Sequence, residues 1–361
     1  MNRDTEVLVA LSGGMDSAAV VLQLREAGYR PRALFMDMLD SETARRRART
    51  VAEAVGLDRL LVENCAERFR HRIIDHTLAE HAAGRTPSPC ARCNAQIKWQ
   101  LLVEVADRLG IFHIATGHYV RREEHNGRFY FGRGIDPIKD QSYYLWEVPE
   151  SSIRRAILPL GESAKGHVRQ NLRERYGLTA LVEQPESMGL CFLGGISYRE
   201  FLRSRLPVDT ISPGDIVDRE GRIVGRHDGY PLYTAGQKRD LTLFDPPKPG
   251  ENWAVMAIDA ARNRLIVAPS ETLYCREITL TDWRATLPEA LFTDPETLQL
   301  AVRGLGRNPK TGCRIERLPS GNLRATLLHD EAWAITPGQP AVFYRNGLLL
   351  GGGILTDCRY E

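Results

Sequence analysis

Three thiols and one glycine-hinged loop are the residues of this sequence best suited to chemistry. Cys90 and Cys93 stand three apart in GRTPSPCARCNAQIKW, Gly84 to Trp99, where prolines fix the direction of the chain. Cys191 stands in SMGLCFLG, Ser187 to Gly194. A CxxC pair suits zinc binding or redox chemistry, but a structural zinc site takes four ligands. No second CxxC and no paired histidines complete one here, which argues against a zinc ribbon. Cys65, Cys275, Cys313 and Cys358 stand alone and read as small apolar residues.

The loop is LSGGMDS, Leu11 to Ser17. Gly13 and Gly14 allow a tight bend, and Ser12, Ser17 and successive backbone amides can surround a phosphate at the positive end of a helix. The string has neither the Gly-Lys-Ser/Thr ending of the Walker loop nor a GxGxxG fingerprint, so kinase and dehydrogenase readings lose support. Asp16 is placed to help hold a magnesium ion.

Such a loop works only between a strand and a helix. Glu6 to Leu11 is a short aliphatic run that predicts the strand, and Ser17 to Ala27 predicts a buried helix. Pro31 to Met36 reads as a second strand, Thr43 to Val55 as a helix, Leu60 to Glu63 as a third strand and Ile111 to Thr116 as a later one. This alternation predicts an α/β domain with a parallel sheet, whose ligands sit at the carboxyl ends of the strands. Beyond about Arg205 glycine and proline multiply. Arg222 to Gly225, Ala254 to Ile258 and Arg264 to Val267 read as strands of a small β-rich module. From Glu277 onward, Thr297 to Val302, Cys313 to Glu316, Leu323 to Leu328, Ala341 to Tyr344 and Leu348 to Leu355 predict a barrel or sandwich. The expected divisions are therefore 1–204, 205–273 and 274–361.

The 361 residues suit two or three domains, and 43% apolar with 26% charged residues is the balance of a chain with a substantial core. A net charge of +2 neither demands nor excludes a polyanion. Arg45, Arg46, Arg47 and Arg49 fall on one predicted helix, where a solvated face is the commoner meaning of such a run. The opening carries Asp4 and Glu6 rather than the basic start of a secretory leader, and no stretch has the length of a membrane span. A cytoplasmic protein with reduced thiols is expected.

In its strand–loop–helix setting, LSGGMDS resembles the PP-loop of the ATP pyrophosphatases, which attack the α-phosphate of ATP and release pyrophosphate. Four further strings extend the likeness over nearly the whole chain: KDQSYYLW (Lys139 to Trp146), LPLG (Leu158 to Gly161), GRHDGYPLYTAGQKRDL (Gly225 to Leu241) and TPGQPAVFYRNGLLLGGGI (Thr336 to Ile354). With them the sequence looks like the tRNA-specific 2-thiouridylase (MnmA) family.

That resemblance implies a PP-loop catalytic domain, a small central β-rich domain and a C-terminal β-barrel that together clamp a tRNA. ATP, with Mg2+, would adenylylate O2 of the wobble uridine, position 34. The ATP contacts would be Ala10, Leu11, Ser12, Gly13, Gly14, Met15, Asp16, Ser17, Met36 and Gly117. A persulfide on Cys191, loaded by a cysteine desulfurase or a sulfur-relay protein, would supply sulfur. Cys93 would release it and leave a Cys93–Cys191 disulfide for a reductant. Ser88, Pro89 and Cys90 match the stretch facing the target base, and His118, Lys139, Asp140, Gln141 and Gln339 match positions that meet tRNA.

The chain departs from the common family pattern in three places. Cys90 replaces an aspartate, and the resulting three thiols, Cys90, Cys93 and Cys191, could instead hold a [4Fe-4S] cluster that carries sulfide. GQKRDL replaces GQRKGL, and the segment after Met36 lacks an acidic, cysteine-bearing stretch. A PP-loop synthetase or amidotransferase acting on a small carboxylate is the alternative activity, but it has no need of cysteines in two distant motifs. A non-catalytic RNA-binding protein would have no need of the loop.

Overall fold

A computed structural model describes residues 5–185, 189–245, 252–304, 306, 308–310 and 312–360. Ser187 and Met188, at the start of the SMGLCFLG string, lie outside the described residues. The chain divides into two compact units.

The first unit comprises Met1–Ile73, Cys90–Gly189 and Asn346–Leu349. It opens with β1 (Glu6–Ala10), α1 (Met15–Glu26), β2 (Arg30–Asp37), α2 (Glu42–Ala54), β3 (Leu60–Asn64) and α3 (Ala66–Phe69). The next helix, α4 (His76–Ala82), belongs to the second unit, and the first resumes with α5 (Pro89–Cys93) and α6 (Gln100–Arg108). Then come β4 (His113–Ala115), β5 (Val120–His125), β6 (Arg128–Arg133), α7 (Glu150–Arg155), β7 (Ala156–Ile157), α8 (Lys165–Glu174) and α9 (Thr179–Val182).

Five of these strands form a parallel sheet in the order β3-β2-β1-β4-β7. Val7, Leu8 and Val9 are wholly buried, as a strand covered on both faces requires. The neighbours of β1 are β2 on one side and β4 on the other, so the strand order reverses at β1, the place where open α/β sheets bind ligands. Helix α1 follows there. Met15, Ser17, Ala18, Ala19, Val20, Val21 and Leu24 bury most of its circumference, and its alanines let it lie close to the sheet. By contrast α2 buries only Ala48, Val51 and Ala52.

Sequence patterning had not anticipated the β5–β6 hairpin. Its turn is Asn126-Gly127, both at positive φ, the conformation that suits the twist of a two-residue hairpin loop. The charged strand VRREEH hid the alternation expected of a half-buried strand.

The second unit comprises Ile74–Pro89, Leu190–Arg345 and Leu350–Glu361. Helix α10 (Tyr198–Arg205) precedes a sheet of β8 (Gly214–Val217), β9 (Ile223–His227), β10 (Thr242–Leu243), β11 (Trp253–Asp259) and β12 (Arg264–Pro269). Their order is β10-β9-β8-β12-β11, with only the β8–β12 pairing parallel. Phe201 and Leu202 of α10 pack with Ile216, Val255, Leu265 and Val267, and Ile74, Leu78 and Ala82 lie against the same core. That burial explains why α4 sits with this unit.

The remaining strands are β13 (Tyr274–Ala285), β14 (Gln299–Ala301), β15 (Cys313–Arg317), β16 (Leu323–Leu327), β17 (Ala332–Trp333), β18 (Pro340–Arg345) and β19 (Leu348–Tyr360). They run in the order β14-β18-β19-β13-β16-β15, with β17 on β13. A bridge between Gln299 and Gly312 joins the two ends of that order and closes the sheet as a barrel. Among the described residues no helix is long and apolar enough to cross a membrane.

Candidate active site

The site of the first unit begins with a helix end left open. Gly14 precedes α1 and supplies no side-chain cap, so the first-turn amides are available to an anion. Ser17 shapes the loop instead: its hydroxyl donates to the Gly14 carbonyl at 2.9 Å and accepts from the Ser12 amide at 3.2 Å. Gly13 has φ +79°, and a Cβ there would lie 3.2 Å from the backbone of Ala48. Both facts favour glycine. The Arg47 guanidinium reaches across and donates to the Gly13 carbonyl at 3.0 Å.

The arginine run on α2 is therefore not a uniform solvated face. Arg45 is tied to Asp37, Asp40 and Glu42. Asp37, nearly fully buried, also accepts from the Ser41 amide at 3.1 Å. Arg47 and Arg45 thus brace the phosphate loop and the end of β2, where Met36 is buried.

Asp16 is the hub of the next layer. Its carboxylate accepts from Lys165 Nζ at 2.6 and 2.7 Å and from the Tyr119 hydroxyl at 2.8 Å. The ammonium also lies 5.3 Å from the centre of the Tyr119 ring, within cation–π range. Lys165 and Tyr119 were absent from the sequence-derived site. Lys165 is distant in the chain and follows LPLG without a motif of its own, whereas Tyr119 ended the ATGHY string and was available to be read. Gly117 in that string packs on α1: a Cβ there would lie 3.3 Å from Asp16 and Ser17.

The KDQ segment divides by role. Asp140 is buried and accepts from the Gly134 amide (3.1 Å) and from the amide and hydroxyl of Ser142 (3.2 and 2.8 Å). Gln141 Oε1 accepts from the Tyr119 amide at 3.1 Å. These two side chains hold the loop in shape, while Lys139 lines a cleft with Lys165. His118 is half-buried, with Nδ1 2.7 Å from the Thr116 hydroxyl and its ring stacked on Trp99. Burial first, and Lys98 second, push it down to about 3, so it is neutral near pH 7.

Helix α5 carries Cys90 exposed and Cys93 buried, with Cys93 Sγ 3.9 Å from Met38 Sδ. A π-helical turn, Asn94–Trp99, follows, and Asn94 donates to the Tyr144 carbonyl at 3.1 Å. Such turns are frequent at functional sites. Burial raises the Tyr144 hydroxyl, with the neighbouring Cys90 thiol adding to the shift.

The second unit holds Cys191, exposed, and the backbone that leads into Ser88 and Pro89. Gln339 Nε2 donates to the carbonyls of Thr86 and Pro87, both at 2.8 Å, and the Thr86 amide donates to the Pro337 carbonyl. Gln339 thus anchors the segment that precedes Ser88. Burial pushes the isolated Cys65 thiol up to about 11 and Cys313 up to about 12, which leaves both protonated and inert. Among the described residues no three His, Cys, Asp or Glu side chains are gathered as a metal ion would need. Of the three thiols named for a cluster, Cys90 (exposed) and Cys93 (buried) belong to the first unit and Cys191 (exposed) to the second.

The description of a tRNA methyl transferase HUP domain matches residues 5–195, that of a tRNA methyl transferase PRC-barrel domain residues 199–269, and that of an aminomethyltransferase β-barrel domain residues 275–355. The chain is 37% identical to the tRNA-specific 2-thiouridylase MnmA 2 of Phocaeicola vulgatus, over 98% of this chain and 99% of the relative. It is 38% identical to MnmA 3 of Bacteroides fragilis, over 98% and 94%. It is 37% identical to MnmA of Neisseria meningitidis serogroup C, over 97% and 95%. An open phosphate loop at the sheet's reversal point, a CxxC helix in the same unit and likeness at this level along the whole chain lead to one assignment: the chain belongs to the tRNA-specific 2-thiouridylase (MnmA) family.

Proposed function

We propose that this protein is a tRNA-uridine 2-sulfurtransferase that converts uridine 34 to 2-thiouridine and ATP to AMP and pyrophosphate. The observation that carries this reading is the uncapped start of α1 at the reversal point of the sheet, with Asp16 inside it. ATP lies along Ala10 to Ser17, with Met36 and Gly117 bordering the base and ribose, and Asp16 helps to hold Mg2+. The divisions 1–204, 205–273 and 274–361 serve as catalytic, central and barrel domains, and the enzyme works in the cytoplasm.

The uridine O2 attacks the α-phosphorus, the bond to the β-phosphate oxygen breaks, and the N3 proton leaves to solvent. The terminal sulfur of a Cys191 persulfide, loaded by a desulfurase or relay protein, attacks C2 and AMP departs. Cys93 then attacks Cys191 Sγ and the bond to the transferred sulfur breaks, leaving its electron pair on the nucleoside. The resulting Cys93–Cys191 disulfide is reset by a dithiol reductant. Ser88, Pro89 and Cys90 face the base, and His118, Lys139 and Gln339 meet or position the tRNA, with Asp140 and Gln141 shaping the loop between them.

Mass spectrometry of nucleosides from tRNA incubated with enzyme, ATP and a persulfide donor tests the reading. Cys191→Ser is expected to abolish 2-thiouridine while ATP-dependent adenylylation continues. Cys90→Asp is expected to remain active without iron. An enzyme active only after iron–sulfur reconstitution, with Cys90→Ser losing iron and activity together, would replace the persulfide route by a cluster at Cys90, Cys93 and Cys191. Formation of an acyl-adenylate from a small carboxylate instead of modified tRNA would replace the whole assignment.

A further inference from the structure

Two of the four cysteines that stand alone in the sequence come together in the barrel. Cys275 lies at the start of β13 and Cys358 near the end of β19, both in the second unit. The strands pair antiparallel, with Cys275 opposite Tyr360 and Ile278 opposite Cys358. Between Cys275 and Glu277 the register shifts, so that β13 carries one residue more than its partner there, a β-bulge. Arg276 takes the extra place and stays exposed, whereas Cys275 and Ile278, three apart, are both buried. Cys358 and Tyr360 are two apart and share a face by strand alternation. Cys275 therefore stands diagonally from Cys358 on the same face, and the two thiols are hydrogen-bonded. Beside them Tyr360 packs with Ala254 of β11, Ala268 of β12, Leu273 and Ala334, the seam where the central sheet meets the barrel.

We propose that Cys275 and Cys358 form a site of reversible oxidation by hydroperoxides, closing to a disulfide that fastens the last barrel strand to the first. The inference goes beyond the thiolation reading and does not depend on it. Cys358 is half-buried and Cys275 is 1% exposed, so an oxidant reaches Cys358 first. The bond from the Cys275 thiol holds Cys358 below the ordinary thiol value, and the same bond, with burial, raises Cys275. Cys358 is thus the attacking thiolate and Cys275 the partner that keeps its proton. The thiolate attacks one oxygen of hydrogen peroxide, the O–O bond breaks, and the hydroxide released takes a proton from solvent. Cys358 is left as a sulfenic acid. Cys275 Sγ then attacks the sulfenic sulfur, the S–O bond breaks, and the hydroxyl leaves as water with the Cys275 proton. Two electrons have passed from the thiols to the peroxide, and a dithiol returns them by exchange. Because the thiols already meet, closure requires only local adjustment at the bulge. The cross-link closes a long stretch of chain, where it restricts the unfolded state most.

The experiment treats the full-length wild-type protein with hydrogen peroxide, alkylates the remaining thiols under denaturing conditions and maps tryptic peptides by mass spectrometry. The expected product joins residues 265–276 to residues 346–359, and dithiothreitol is expected to release it. In the Cys275→Ala protein, dimedone present during oxidation is expected to label Cys358. In Cys358→Ala the linked peptide is expected to vanish and Cys275 to stay unlabelled. A Cys90→Ser/Cys93→Ser/Cys191→Ser protein isolates the barrel pair from the other candidate redox thiols. Peroxide is expected to raise its thermal midpoint by several degrees, and to leave the midpoint unchanged once Cys358→Ala is added. The wild-type map decides the matter even where a variant folds poorly. Full alkylation of Cys275 and Cys358 after peroxide treatment that oxidises Cys93 and Cys191 would overturn the proposal. So would Cys358 linked to a cysteine other than Cys275, or a linked barrel that unfolds no later than the reduced one.

Discussion

The start of α1 and the start of α10 solve the same problem in opposite ways. At α10 the chain satisfies itself: Ser197 accepts from the Glu200 amide and Glu200 reaches back to the Ser197 amide, a complete capping box. At α1 the cap position is Gly14 and no side chain closes the end. The Ser17 hydroxyl is turned onto the loop's own backbone. Orphan amides stabilise a helix when they find a partner in the chain and form a binding site when they are left for a ligand. The difference separates an end that holds the fold from an end whose amides are left for a ligand.

The largest expected effect comes from breaking the open end. Asp16→Ala removes the partner of Lys165 and the proposed magnesium contact, and thiolation is expected to fall by about 10²–10³ or more while tRNA binding stays within a few-fold. Rate measurements beside filter binding check this, and equal loss of both would contradict the division of labour.

The second effect contrasts two histidines. His118 is held near 3, far below its ordinary value of 6.5. Because the folded form resists the proton that the unfolded chain accepts, its contribution is present above about pH 6.5 and is lost as pH falls toward 3. Unfolding free energies from urea titrations at pH 7 and pH 5 are expected to differ less in His118→Gln than in wild type, by about 1–2 kcal/mol. His81 in the second unit, also lowered by burial, has both nitrogens engaged, with the Pro231 carbonyl and the Tyr198 hydroxyl. His81→Leu is therefore expected to destabilise at both pH values, since it leaves the buried Pro231 carbonyl and the half-buried Tyr198 hydroxyl without this partner.

A smaller effect tests the closed end. Ser197→Ala is expected to cost about 1 kcal/mol of stability, seen as a lower urea midpoint, without changing ATP affinity. The smallest concerns Asp240, which sits at φ +61° where the family pattern has glycine. Asp240→Gly is expected to raise stability by about 0.5 kcal/mol, as relief of a left-handed aspartate outweighs the added freedom of the unfolded chain.

Much of this was legible in the sequence because it is local. The run EVLVA, the glycines of the loop and the aliphatic helix after it declare a strand, a bend and a buried helix within about twenty residues. The helix begins at Met15, two residues before the position expected from its apolar pattern, because an open phosphate loop hands its last residues to the first turn. What sequence reading missed is nonlocal or masked by charge. The Lys165–Asp16 bond joins residues 149 apart, and nothing in ESAKGH announces it. Asp140 and Gln141 were legible as members of a motif, while the hydrogen bonds by which their side chains shape the loop that presents Lys139 were not. The Asn126-Gly127 turn was an available signal, obscured by four charges in VRREEH.

The Gln339 amide that grips Thr86 and Pro87 sets a constraint in time. Its partners are 253 and 252 residues apart from it in the chain. At about 5–20 residues per second of synthesis, the segment leading to Cys90 waits on the order of tens of seconds on the ribosome before its anchor exists. The phosphate loop, whose strand and helix are contiguous, can be shaped long before. A nascent chain therefore acquires its nucleotide cradle early and the anchored segment before Cys90 late, and that segment settles only after the barrel strand beside Gln339 has been made.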